Sequence, residues 1–192
     1  MCIRDRDRED KNKKYEEPTS NLLKDIEEED GVCVVVSDYA KGVIKEDTVA
    51  LLSDKHVVFV DPKEGPEKYK GAFLVKPNME KYISWNGKFT KDSALKFMHN
   101  YGWEWLVITD GGCGIHVLNN NGEYNHWFED VCEVLDVTGA GDVVLSILAC
   151  SYVSGLDMVE ACQLASHIAT KSVQKKGTSK INPEDIFSGD LI

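Results

Sequence analysis

The sequence lacks the features that would place a chain on a membrane, on a nucleic acid or around a metal. None of its six cysteines forms a C-x-x-C pair, and no two of its five histidines stand at the H-x3-5-H spacing of a zinc site. A metal cage is therefore not expected. Several of Cys2, Cys33, Cys113, Cys132, Cys150 and Cys162 sit in apolar runs, which suits reduced thiols in a cytoplasmic protein. The longest apolar run, 143–153, holds two serines and is too short to cross a bilayer, and no charged-then-apolar signal opens the chain. Nor is there an excess of positive charge: 33 acidic against 22 basic residues give a net charge of -11 and a pI near 4.9, which repel phosphate backbones and acidic membranes. Neither nucleic acid nor membrane is an expected partner, and any phosphate site has to be local.

What is present suits one packed domain, since 192 residues with 42% hydrophobic and 29% charged content can bury a real core. Residues 1–31 form a charged lead-in in which only Leu22, Leu23 and Ile26 are spaced like a helix face; it is expected to be disordered or partly artefactual, because its opening MCIRDRDR resembles translated adapter sequence. From residue 32 onward the pattern changes, with no repeat or low-complexity tract. The runs 32–37, 56–60 and 72–75 are apolar and β-branched, and predict buried parallel strands. Polar residues follow each run: Asp38, then Asp61-Pro62-Lys63, then Lys76-Pro77-Asn78. Helices are expected over 44–53, 91–100, 143–154 and 158–175, a further strand over 105–109, and a hairpin of 115–118 with 124–128 around the Asn-Gly turn at Asn121-Gly122. Strands alternating with helices predict a doubly wound, mostly parallel α/β sheet, whose strand ends form the ligand crevice.

The chemistry concentrates at 135–148, LDVTGAGDVVLSIL, where a small-residue loop opens an apolar helix. Gly139, Ala140 and Gly141 leave their backbone N–H groups free to approach an anion, and the helix adds its positive dipole end. A carboxylate at Asp142 would repel a phosphate there unless it has another task, and taking the proton of an attacking hydroxyl is such a task. The plain alternative is an acid that only stabilises the free N–H groups of the first turn. A second glycine-rich turn follows the strand at 105–109, as Thr109-Asp110-Gly111-Gly112-Cys113-Gly114, where a tight turn into a strand is the plain alternative.

Taken together, these residues resemble the ribokinase-like PfkB carbohydrate kinases. Asp136 to Asp142, DVTGAGD, is similar to that family's C-terminal signature; TDGGCG, from Thr109 to Gly114, resembles its T-x-G-x-x-G turn; Pro77-Asn78 resembles the start of its magnesium-linked N-x-x-E motif. The segments SDYAKG, VDPK, YKGA, EAC and GTS look closest to the branch that phosphorylates D-glycero-β-D-manno-heptose 7-phosphate, the kinase part of ADP-heptose synthesis for lipopolysaccharide.

The resemblance covers 32–186 and implies only the C-terminal part of a ribokinase-like fold, N-terminally truncated and so expected to be inactive or nearly so by itself. It implies an ATP- and Mg2+-dependent transfer of the γ-phosphoryl group to a sugar hydroxyl. Asp142 would be the base, with Gly139, Ala140 and Gly141 as the anion hole. Thr109, Gly111, Gly114 and Asn78 would serve the nucleotide, Asp136 and Thr138 the loop or a monovalent cation, and Asp38, Lys41 and Lys63 the sugar phosphate. A metal-linked role would fall to Glu80, although here the acid follows Asn78 at the second place and Lys81 holds the third. A homodimer of the full-length protein is compatible with the family. Another sugar or nucleoside kinase, or a non-catalytic nucleotide-binding module, is the alternative reading.

Overall fold

The computed structural model describes residues 25–26, 28–29, 31–128 and 139–174. Six strands, β1 (Cys33–Ser37), β2 (Val57–Asp61), β3 (Leu74–Val75), β4 (Trp105–Thr109), β5 (Ile115–Asn119) and β6 (Tyr124–Trp127), lie side by side in chain order. β1 to β4 run parallel, and β5 and β6 fold back antiparallel. Parallel neighbours need crossovers. Helix α1 (Thr48–Ser53) joins β1 to β2, a 3-10 turn at Pro66–Tyr69 precedes β3, and α2 (Met79–Asn86) with α3 (Lys91–Tyr101) joins β3 to β4. Helices α4 (Ala140–Val153) and α5 (Met158–Val173) come after the sheet.

Side chains alternate across the pleat, so the apolar runs feed two cores. Val58 and Val60 pack with Val49 and Leu52 of α1 and Phe97 and Met98 of α3. Phe59, between them, turns to the other face and packs with Leu145 and Leu148 of α4 and Ala161 and Ala165 of α5. Both faces of the sheet are therefore covered, which is the doubly wound, mostly parallel arrangement that the strand and helix pattern predicts. Among the described residues no helix is long and apolar enough to cross a membrane.

Several elements differ from the sequence expectation: β3 is only Leu74–Val75, and α4 begins at Ala140 and not at 143, so that Ala140 and Gly141 lie in its first turn. Helix α1 starts at Thr48 and not at Ile44, because the Thr48 hydroxyl accepts the Lys45 N–H while the Lys45 carbonyl accepts the Thr48 N–H. That closes a local turn in place of a helical one. Helix α2 was not expected: its outright buried residue is Tyr82 alone, so the segment shows little apolar period. Asn78 starts it by accepting the Lys81 N–H at 2.8 Å.

Candidate active site at the strand ends

Parallel strands put their C-terminal ends on one edge, and most of the candidate residues collect there. The register sets Ser37 beside Asp61, and a further bridge sets Asn78 beside Thr109. Above them begins α4. Gly139 caps it in a left-handed conformation (φ 83°) that a side chain would resist, and Asp142 lies in its first turn. Asp142 is exposed at the edge of this crevice. Ser37 Oγ donates to its Oδ1 at 3.3 Å and the Tyr39 hydroxyl to its Oδ2 at 3.4 Å. Burial and then the charge of Asp142 push the Tyr39 phenol above its ordinary range, so it stays a donor. The carboxylate is thereby held on two long hydrogen bonds at a helix start.

Beneath that start sits an ion pair. Lys76 Nζ lies 3.1 Å from Asp61 Oδ2, and Lys76 is only 2% exposed. The pair packs against Gly141: a Cβ there would come within 3.2 Å of Lys76 Nζ and 3.5 Å of Asp61 Oδ2. A glycine at 141 thus lets the loop sit close over the paired charges.

Asp38 belongs to a buried cluster behind the crevice. The Tyr69 hydroxyl donates to Asp38 Oδ2 at 2.7 Å and itself accepts the N–H groups of Lys63 and Glu64, each at 2.9 Å. Lys68 Nζ lies 3.5 Å from the same Asp38 oxygen and also pairs with Glu64. Burial, and then the hydrogen bond to Asp38, push the Tyr69 phenol far above its ordinary value. The Asp38 Oδ1 takes the Ala40 N–H at 2.8 Å, and Ala40 is held at φ 56°. Tyr69 therefore ties the loop after β1 to the loop after β2.

The remaining sequence candidates are placed as follows. Thr109 is half-buried at the end of β4, and its N–H donates to the Pro77 carbonyl. Gly111 opens the next turn at φ 50°, and Gly114 closes it at φ 89° with no room for a Cβ, which would meet the Trp127 carbonyl oxygen at 2.0 Å. Lys41 is half-buried in the loop after β1, and Lys63 is exposed in the loop after β2. Glu80 is exposed in the first turn of α2. Asp136 and Thr138 lie outside the described residues. Sequence reasoning did not single out Ser37, Tyr39, Asp61, Tyr69, Lys76 or Lys81 individually; the signal for Asp61 and Lys76 was that each directly follows an apolar run.

The profile of pfkB family carbohydrate kinases matches residues 8–185. The bifunctional protein HldE of Aliivibrio fischeri (strain ATCC 700601 / ES114) is 37% identical over 158 residues, covering 78% of this chain and 33% of that protein. The protein of the same name from Trichlorobacter lovleyi is 36% identical over 167 residues, 81% of this chain and 34% of that one. The chain thus spans about a third of the length of the curated relatives it matches. Among solved structures, ribokinase from Thermotoga maritima superposes with a TM-score of 0.70 at 21% identity over 86% of this chain and 58% of that one. Phosphofructokinase-2 from Escherichia coli in complex with potassium gives a TM-score of 0.76 at 16% identity, over 88% and 60% of the two chains. These structures show a ribokinase-like fold, and the profile carries the rest: the chain belongs to the pfkB family of carbohydrate kinases, phosphotransferases that act on sugars.

Proposed function

We propose that this chain supplies the phosphoryl-transfer wall of an ATP-dependent sugar kinase, with the anomeric hydroxyl of heptose 7-phosphate as acceptor. The observation that carries the reading is the exposed Asp142 carboxylate at the start of α4, directly after Gly139, Ala140 and Gly141 and held by Ser37 and Tyr39. In this reading the loop amides stabilise charge growing on the transferring phosphoryl oxygens, and Asp142 takes the proton from the acceptor hydroxyl as its oxygen attacks. Thr109, Gly111, Gly114 and Asn78 flank the nucleotide phosphates. Asp38 braces the strand-end loops that carry Lys41 and Lys63, which face the sugar phosphate. The heptose assignment is supported by relatives named HldE at 36–37% identity.

The test is ADP release, with heptose 7-phosphate, ribose or fructose 6-phosphate as acceptor, from the chain together with whatever coding sequence adjoins it. Turnover confined to heptose 7-phosphate is the expected result. Turnover with a different sugar moves the assignment within the family, and ATP binding with no turnover on any sugar favours a nucleotide-binding module.

A further inference from the structure

The family implies magnesium beside the nucleotide phosphates, and the described residues do not fit the acid that would order it. Asn78 Oδ1 is taken up in capping α2. Successive helix positions are turned by about 100°, so the exposed Glu80 leaves the helix in a different direction from the next side chain. That side chain is Lys81. Its Nζ donates to the Lys63 carbonyl at 2.7 Å, at the strand-end edge, where it feels the charges of Lys63, Asp61 and Asp38. Among the described residues no three His, Cys, Asp or Glu side chains gather as a metal site.

Resting on the kinase reading above, we infer that Lys81 takes the place of the metal-linked acid and meets the nucleotide phosphates with its own charge, so that this chain binds ATP without magnesium. Several observations converge on that role. The Lys81 ammonium is held on the Lys63 backbone carbonyl in a chain of net charge -11, and among the described residues neither lysine has a carboxylate within ion-pair distance. Burial, and next the charge of Lys63, lower the Lys81 pKa. An anion bound beside the Lys81 ammonium offsets the repulsion it feels from the charge of Lys63. A carboxylate at 81 would instead repel the phosphates unless a divalent ion bridged them.

The experiment is calorimetric titration of the chain with ATP, once in excess EDTA and once in excess MgCl2, alongside Lys81→Gln and Lys81→Glu. Gln keeps a donor for the Lys63 carbonyl and removes the charge, so it separates charge from loop bracing, and circular dichroism checks that each variant folds. The native chain is expected to bind ATP in EDTA within about threefold of its affinity in magnesium; Lys81→Gln should lose about tenfold or more in EDTA, and Lys81→Glu should bind only when magnesium is present. Native binding that collapses on chelation overturns the inference and leaves the kinase reading standing. So does a Lys81→Gln variant that binds in EDTA like the native chain. A native chain that binds no ATP under either condition overturns the kinase reading and the inference with it.

Discussion

Ser37 and Asp142 are 105 residues apart in the chain and meet at 3.3 Å, Oγ to Oδ1. That contact joins the end of β1 to the start of α4 and, with Tyr39 on the other oxygen, fixes the direction in which the carboxylate presents its lone pairs. A base is useful only when its lone pair faces the proton it removes. Ser37→Ala and Tyr39→Phe each free one oxygen, and each is expected to lower kcat about three- to tenfold, up to ~1.4 kcal/mol of barrier, while the KM for ATP stays put. A coupled ADP assay checks the split.

Tyr69 is buried completely and holds two loops at once. In Tyr69→Phe the N–H groups of Lys63 and Glu64 and one oxygen of Asp38 lose that partner, at an expected cost of about 1–3 kcal/mol. Urea unfolding measures it. The folded pKa of this phenol lies above the unfolded value of about 10, so its contribution is whole below that pH and declines as the pH rises above it. The native chain should lose stability more steeply in alkali than the variant.

Gly114 is a clean steric test. With φ at 89° and the Trp127 carbonyl oxygen 2.0 Å from any Cβ, Gly114→Ala has to push the β6 end away. A loss of about 3 kcal/mol or more is expected. Gly112→Ala, whose Cβ would meet nothing within 4 Å, should change little in the same denaturation series.

His116 gives a pH prediction on the acid side. Its Nδ1 lies 2.8 Å from the Tyr124 hydroxyl, its ring stacks on His126 at 4.2 Å, and Asp110 and Phe89 also face it. Burial and then His126 hold its pKa below the ordinary value, outweighing Asp110. A lowered folded pKa means stability is whole above the unfolded value of about 6.5 and is lost as the pH falls through the folded one. His116→Gln should flatten that decline, measured as Tm between about pH 7 and 5.

Local signals in the sequence located the loop at Gly139 to Asp142, the turn at Gly114 and the strands, because each depends on a few adjacent residues. The run at 105–109 is a strand with those same ends, since its apolar side chains fill both cores. Helix α2 is hidden for the opposite reason: MEKYISWN buries Tyr82 and little else, and its one start signal, Asn78, also fits the start of the N-x-x-E motif. The Lys76 and Asp61 pair and the Tyr69 clamp could not be read from spacing. They exist because the register lays separate strand ends side by side, and that register is set by packing across the whole sheet.

The central claim is that Asp142 is the general base, and Asp142→Asn tests it most directly. The side chain stays nearly the same size; its amide oxygen can still accept from one of the Ser37 and Tyr39 hydroxyls and its Nδ2–H can donate to the oxygen of the other, but it no longer takes a proton. ATP binding should persist while kcat falls by a factor on the order of 10²–10⁴. A variant that keeps a near-native kcat, measured in the chain together with its adjoining coding sequence and beside the unaltered form with heptose 7-phosphate and ATP, would contradict the account.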